Sequence, residues 1–194
     1  MKGKNPRKSH KAAVVIIPPE EAWDPIQQIR RRHDRNLGRW MPHITLLYPF
    51  RPREVFEEIS GQLGDVCSSV EDFEIELRSF DFFVHSPGST TMWLVPEPKD
   101  RLCALQNALQ NAFPDCNDVS RHEGGYTPHL SVGQAGPVRN ALGILHGLER
   151  SWFPIRFPAS KLSLIYRRDK PDDVFRIHRE FALGSAAPRD RSEI

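Results

Sequence analysis

One five-residue pattern occurs twice in this chain, and it constrains the fold more than any other feature. The pattern is proline, histidine, an aliphatic residue, a hydroxyl residue and a second aliphatic residue, and it reads PHITL at 42–46 and PHLSV at 128–132. In a β-strand, residues two apart project from the same face. Each copy therefore predicts a strand that presents a histidine beside a hydroxyl and turns two aliphatic side chains into the packing behind it. The separation of about 86 residues between the copies indicates an internal duplication rather than a short solenoid repeat.

The order of the predicted elements indicates an α+β fold with two lobes. Apolar runs rich in β-branched residues predict strands, and apolar residues at helical spacing predict helices. The turn composition of HSPGST at 85–90 predicts a hairpin. We expect strands at 12–18, 40–48, 73–78, 92–96, 126–133, 154–167 and 174–183, and helices at 20–35, 53–66, 99–113 and 138–148. If an approximate two-fold axis relates the lobes, the two motif strands face each other across one groove.

Both ends of the chain lack the apolar patterning of these elements. Residues 1–11 carry five Lys or Arg and no acidic residue, which is typical of a flexible, solvated basic tail. Residues 184–194 have the character of a second flexible tail. We therefore expect one bilobal domain at 12–183, and we expect it to be a monomer.

Charge and cysteine content limit the class of protein. The formal net charge is only +2 over 194 residues, so no strong positive field favours long nucleic acids or anionic membranes. The three cysteines have no metal-ligand spacing, and the start of the sequence shows no signal-peptide pattern, which favours a reducing compartment. No apolar run is long enough to cross a bilayer. We expect an intracellular protein, cytoplasmic or nuclear.

The two motifs together suit acid–base chemistry on a phosphodiester. Near neutral pH, one imidazole can take a proton from an attacking water while the other protonates the departing oxygen. The hydroxyls of Thr45 and Ser131 can donate hydrogen bonds to phosphate oxygens on which charge develops. His43 and His129 would perform this chemistry without a metal or a cofactor, and no cluster of carboxylates indicates a metal site. A single His-x-Ser/Thr match is most often a packed histidine beside a β-former, so the prediction depends on the pair.

With both motifs in place, the chain resembles the 2H phosphoesterase superfamily, particularly its 2′-5′ RNA ligase-like branch of RNA cyclic phosphodiesterases. The resemblance spans 12–183 and includes the MWLVP strand before a leucine-rich helix and the closing segments KLSLIYR and VFRIHREFALG. It implies two antiparallel sheets around a central groove, with helices outside. It also implies metal-independent hydrolysis of 2′,3′-cyclic phosphate ends, usually to a 2′-phosphate, so the expected partners are RNA 3′ ends or small nucleotides. In this chain, His43 and His129 match the two catalytic histidines, and Thr45 and Ser131 match the phosphate-binding hydroxyls.

Aromatic residues near the motifs are candidates for nucleotide contacts, because bases stack on aromatic rings. Phe83 precedes the turn before MWLVP, at a place where the resemblance implies a stacking phenylalanine. Tyr126 lies three residues before His129, and Tyr166 ends a strand beside Arg167. We expect Phe83, Tyr126, Tyr166 and Arg167 to bind substrate; the alternative for each is a place in the core or at the rim.

Other features near the motifs are also assigned. Tyr48 and Trp93 are expected to pack in the core rather than to bind. His85 lies in a turn near Phe83 and can edge the groove. The segment RHEGGY at 121–126 contains the glycine pair of a mobile loop, which can fold over a bound substrate.

Two further functions stay open from the sequence. In one, the groove holds a nucleoside monophosphate without turnover, as a binding module in a signalling or RNA-processing scaffold. In the other, the chain is an adaptor in RNA processing with an inactive groove. Turnover of a cyclic mononucleotide in EDTA would separate an enzyme from both.

Overall fold

The computed structural model describes residues 7–184, and its elements follow the predicted order. They are, in chain order, β1 (Ala12–Ile16), α1 (Trp23–His33), β2 (Ile44–Leu47), α2 (Phe56–Ser68), β3 (Phe73–Ser86), β4 (Ser89–Glu97), α3 (Lys99–Ala112), β5 (Leu130–Ala135), α4 (Val138–Glu149), β6 (Ile155–Ala159), β7 (Lys161–Tyr166) and β8 (Arg176–Ala182). Short 3₁₀ turns at Glu20–Ala22 and Arg53–Val55 lead into α1 and α2. No helix within residues 7–184 is long and apolar enough to cross a membrane.

The strands of the described residues form two antiparallel sheets of four strands each. The first sheet has the order β2-β1-β7-β8 and the second has the order β5-β4-β3-β6. A strand–helix–strand–helix unit occurs twice, as β1-α1-β2-α2 and as β4-α3-β5-α4. In each sheet, the second strand of the unit is the edge strand and pairs with the first strand of the same unit: β2 with β1, and β5 with β4. The predicted α+β fold with a duplicated arrangement is confirmed. β2 and β5 occupy equivalent edges, and each begins directly after a motif histidine and contains the motif hydroxyl residue.

The segment predicted as one strand at 154–167 consists of two strands in different sheets. β6 pairs with β3 in the second sheet, whereas β7 pairs with β1 in the first. Ser160 lies between them, where the chain passes from one sheet to the other. The prediction of a single strand was wrong because both parts have strand composition, and pairing partners distant in sequence decide where each part ends.

Strand β1 is buried along its whole length, as its five apolar residues predict. Alternate residues of the strand face opposite sides of the sheet. One side contributes to the main core, which also receives the buried stripes of α2 and α3. The other side belongs to a second cluster, formed by Ala13, Val15, Ile165 and Phe175, against which Trp40, Met41 and Tyr48 pack. The face of the first sheet beside the first motif is therefore apolar and aromatic.

Helix α1 belongs to the first half of the sequence but packs against β5 of the second sheet. At the closest point, a Cβ atom on Gly133 would lie 2.4 Å from Cβ of His33. Only glycine fits here without displacement of the helix. This close approach links the two lobes beside the motif strands.

Parts of the two predicted tails belong to the folded structure. Ser9 and Phe50 exchange backbone hydrogen bonds of 2.6 and 3.2 Å, and Lys8 forms an ion pair with Asp118. At the other end, the Gly184 amide donates to the carbonyl oxygen of Val70 at 2.9 Å. The rest of the predicted tails, residues 1–6 and 185–194, lies outside the described residues.

Candidate functional site

A cavity of about 620 Å³ is lined by residues from both sheets. Thr45 contributes from β2, and Ser131 contributes from β5. The lining residues are Thr45, Tyr48, Phe83, Val84, His85, Thr91, Asp118, Val119, His122, Glu123, Gly125, Tyr126, Thr127, His129 and Ser131. The fold thus brings the hydroxyls of both motifs to one cavity. His43 immediately precedes β2, two residues before Thr45.

The two motif histidines are held in the same way. Nδ1 of His43 lies 2.7 Å from the carbonyl oxygen of Met41, and Nδ1 of His129 lies 2.8 Å from that of Thr127. A carbonyl oxygen only accepts hydrogen bonds, so Nδ1 carries the proton in each ring and donates it. Nε2 is then the basic nitrogen of each neutral imidazole. This shared tautomer leaves Nε2 of both rings available for proton transfer.

Burial lowers the pKa of both histidines. The pKa of His43 falls from 6.5 to about 4, chiefly because burial disfavours the charged ring. The hydrogen bond to Met41 opposes this shift, the positive charges of Arg30 and His129 add to it, and the negative charge of Asp34 opposes it. Without a bound anion, both rings are mainly neutral at pH 7.

Aromatic rings fix the orientation of His43. The ring of Trp40 stacks on it with centroids 4.6 Å apart, and Phe175 stacks on Trp40 with centroids 3.6 Å apart. The sequence assigned Trp40 only to a strand. No local signal marks its role, because the stack depends on Phe175, which lies just before β8, much later in the chain.

A different aromatic group surrounds His129. Phe83 meets it edge to face at 5.0 Å, and Trp93 stacks on Phe83 at 5.0 Å. Phe83 therefore lies where a base-stacking residue was expected, on the wall of the cavity. Trp93, predicted to lie in the core, is only 5% exposed and supports Phe83 from behind.

Tyr126 lines the cavity and connects the two motifs. Its hydroxyl donates to the carbonyl oxygen of Thr45 at 2.8 Å. The side chain is buried, and burial raises the pKa of its hydroxyl. Its hydroxyl is engaged with the backbone of the first motif, and its predicted contact with substrate stays a prediction.

The structure separates Tyr166 from Arg167. Tyr166 packs against the main core, and the Arg53 guanidinium lies 4.4 Å from its ring centroid. Its neighbour Ile165 lies on the opposite face of the sheet, in the second cluster. This position does not support the predicted substrate contact of Tyr166, because alternate strand residues face opposite sides. Arg167 lies beside the second cluster, 5.7 Å from the centroid of Phe175, so it stays a candidate at the edge of the first-motif face.

The segment between α3 and β5 forms a further wall of the cavity. It contains the predicted loop RHEGGY at 121–126, several residues of which line the cavity. Gly124 and Gly125 have φ of 89° and 74°, a left-handed conformation that favours glycine. The start of the segment is anchored by Arg51, whose two terminal nitrogens lie 2.7 and 2.5 Å from the Asp115 carboxylate. Movement of this wall over a substrate stays a prediction.

The remaining polar groups of the cavity are imidazoles, hydroxyls and two carboxylates. His85 lines it with Nε2 placed 2.9 Å from Oγ1 of Thr91. Tyr48 also lines it, although the sequence assigned this residue to packing. Within residues 7–184, no three His, Cys, Asp or Glu side chains lie together as a metal site would require.

Comparison with known proteins agrees with this geometry. The model of the 2′-5′ RNA ligase superfamily matches residues 18–171. A protein of Bacillus cereus (strain AH820), named as a candidate phosphoesterase, is 25% identical over 175 residues, which are 90% of this chain and 97% of that protein. A Bacillus mycoides protein (strain KBAB4) with the same designation matches to the same extent.

Solved structures share the fold. TT0787 of Thermus thermophilus has a TM-score of 0.62 at 16% identity, over 91% of this chain and all of that chain (100%). The apo form of LigT from E. coli has a TM-score of 0.60 at 16% identity, over 92% of this chain and 100% of that one. LigT complexed with 3′-AMP has a TM-score of 0.57 at 17% identity, over 91% of this chain and 99% of that one.

Proposed function

Because the chain belongs to the 2′-5′ RNA ligase superfamily, we propose that it hydrolyses 2′,3′-cyclic phosphate ends of RNA or small nucleotides without a metal. The family itself supports the coarser statement of a phosphoesterase activity. One observation carries the finer proposal. Thr45, His129 and Ser131 line a single cavity, and His43 and His129 both leave Nε2 available while Nδ1 is bound to backbone.

The proposed reaction begins with one neutral imidazole and one protonated imidazole. Nε2 of the base takes a proton from water as the water oxygen bonds to phosphorus. The bond from phosphorus to the ribose 3′ oxygen breaks, and the acid protonates that oxygen from its own Nε2. The product is a 2′-phosphate and a 3′-hydroxyl. Thr45 and Ser131 donate hydrogen bonds to the non-bridging oxygens, which gain charge in the transition state.

The electrostatic surroundings favour His43 as the base and His129 as the acid. The positive charge of Arg30 disfavours an imidazolium at His43 more than Asp34 favours it, so His43 holds a neutral ring. For His129, burial is the lowering cause, and no cation among the described residues adds to it. A bound phosphate favours the charged form of a nearby imidazole, so substrate binding supplies the condition for protonation of His129.

We assign nucleotide recognition to two residues near the motif histidines, Phe83 and Arg167. Phe83 offers a ring beside His129 for stacking, which is worth about 1–3 kcal/mol per base. Arg167 can attract phosphate from the side of Phe175. E. coli LigT, which shares this fold, has been solved in complex with phosphate, 3′-AMP and ATP, and this supports the proposal that the present chain binds a nucleotide.

Turnover of a 2′,3′-cyclic mononucleotide, measured with and without EDTA, tests the proposal. We expect equal rates in both conditions, a bell-shaped pH dependence of the coupled histidine pair and a 2′-phosphate product identified by ³¹P NMR. Loss of activity in EDTA that divalent ions restore would contradict the two-histidine mechanism. Binding of AMP without any turnover would instead favour the binding-module alternative.

A further inference from the structure

The proposed chemistry uses the charge of Arg30 but does not explain why this cation is buried. Arg30 in α1 is only 2% exposed and is among the largest fully buried side chains of the described residues. Burial of an arginine is costly unless its charge is paired and its donors are bonded. On the same helix, Arg31 is 59% exposed at its side chain, so burial is specific to Arg30.

Every part of the Arg30 guanidinium has a partner, and one partner precedes the first motif. Nε donates to Asp34 Oδ2 at 2.9 Å, and Nη1 donates to Gln27 Oε1 at 3.0 Å. Nη2 donates to the carbonyl oxygen of Trp40 at 2.8 Å. Trp40 is the residue whose ring stacks on His43. Arg30 therefore fixes the backbone of the residue that orients the His43 ring.

The same network reaches the strand of the second motif. The Asp34 carboxylate is 4% exposed, and its Oδ1 accepts from Gln134 Nε2 at 3.2 Å. Gln134 lies in β5, three residues after Ser131, and its Oε1 accepts from the Arg35 amide at 3.2 Å. A continuous chain of hydrogen bonds thus runs from the Trp40 backbone through Arg30 and Asp34 to the second motif strand.

We propose that Arg30 is a positioning residue, which holds His43 through Trp40 and, with Asp34 and Gln134, fixes the first motif relative to the second. This inference rests on the proposed function, because it assigns Arg30 to the alignment of the two histidines. A lysine cannot replace it, because a single ammonium on a flexible stem cannot bond Gln27, Asp34 and Trp40 in one fixed geometry.

The network also sets the charge balance at His43. The charged groups that act on this ring are Arg30, His129 and Asp34; Arg30 and His129 lower its pKa, and Asp34 raises it. Removal of the guanidinium charge leaves Asp34 uncompensated. The pKa of His43 then rises, so the acid limb of the kcat/KM profile moves to higher pH.

Three variants and one control test the proposal. We expect Arg30→Lys to lower kcat about 10- to 100-fold with little change in KM, and to leave the acid limb in place. Arg30→Met should lower kcat at least as far and shift that limb to higher pH. Gln134→Leu should lower kcat without a shift of the limb, and Arg31→Met, at the exposed position, should match the parent protein.

A measurement independent of turnover separates this inference from the proposed function. The His43 Cε1–H signal, assigned with His43→Gln, is titrated by NMR in the parent protein, Arg30→Met and Arg30→Lys. A higher His43 pKa in Arg30→Met only would support the network even if no cyclic nucleotide is hydrolysed. Parent-like kcat in Arg30→Lys, or an unchanged His43 pKa in folded Arg30→Met, would overturn it.

Discussion

At the scale of single residues, the two motif histidines have different surroundings although their motifs match. His43 stacks on Trp40 and lies within reach of the Arg30–Asp34 pair. His129 instead faces the edge of Phe83. Their Nδ1 atoms are bound in the same way, so the difference concerns charge and packing rather than tautomer. The two matching motifs therefore provide different surroundings for the base and the acid of the proposed reaction.

Replacement of either histidine by alanine is expected to lower turnover of a 2′,3′-cyclic nucleotide by about 10²–10⁴, the usual contribution of acid–base help. The double variant should be little worse than the worse single variant, because base and acid act in one step. His146→Ala, at an exposed position of α4, is the matched control and should match the parent rate. Multiplicative losses in the double variant would contradict a concerted role.

At the scale of elements, β2 and β5 belong to different sheets but are joined across the groove. The Tyr126 hydroxyl bonds the Thr45 backbone, and the Arg30 network bonds the residues before β2 to Gln134 in β5. β2 and β5 do not pair with each other through backbone hydrogen bonds, so these side-chain bonds connect the two strands. The relative position of the two motifs thus depends on a few side chains as well as on the sheets.

Tyr126→Phe tests the link at Thr45. The change removes one part-buried hydrogen bond between the lobes, so the free energy of unfolding should fall by about 1 kcal/mol. Urea denaturation measures the effect. Tyr48→Phe is the matched control, since its hydroxyl reaches the exposed His10 carbonyl at 3.2 Å and should contribute less than about 0.5 kcal/mol. Equal losses in the two variants would show that the Tyr126–Thr45 bond contributes no more to the free energy of unfolding than the exposed Tyr48–His10 bond.

At the scale of the whole molecule, burial of His43 makes stability depend on pH. The pKa of His43 is about 4 in the folded protein, against 6.5 for the ordinary histidine that stands for the unfolded chain. Between these values the unfolded chain binds a proton that the folded protein does not bind. Stability is therefore lost as pH falls from 6.5 to 4, and the loss from this residue levels off below pH 4.

We expect His43→Gln to lose less stability than the parent protein when the pH is lowered from about 7 to about 4. The difference should approach about 3 kcal/mol at most, since one pKa unit corresponds to about 1.4 kcal/mol. Urea denaturation at both pH values measures it, and His146→Gln serves as the control for an exposed histidine. Parallel losses in the parent protein and His43→Gln would show that His43 does not titrate in this range.

The sequence by itself determined the family, the order of helices and strands, and the pairing of His43–Thr45 with His129–Ser131. These features are readable because they depend on local periodicity: a strand exposes alternate residues whatever its partners are. The family resemblance also implied a role for Phe83 near the site, and Phe83 lines the cavity. The superfamily model that matches residues 18–171 confirms the resemblance.

Only the tertiary structure decided which distant side chains complete the site. Trp40 can orient His43 because Phe175 stacks on its other side. Arg30 is one of three consecutive arginines, and only its place on the helix directs it inward to bond Asp34 and Trp40. Tyr166 lies on the main-core side of the first sheet because of the register of β7 with β1. Register, sheet exchange at Ser160 and burial depend on contacts between residues far apart in sequence, which local periodicity does not encode.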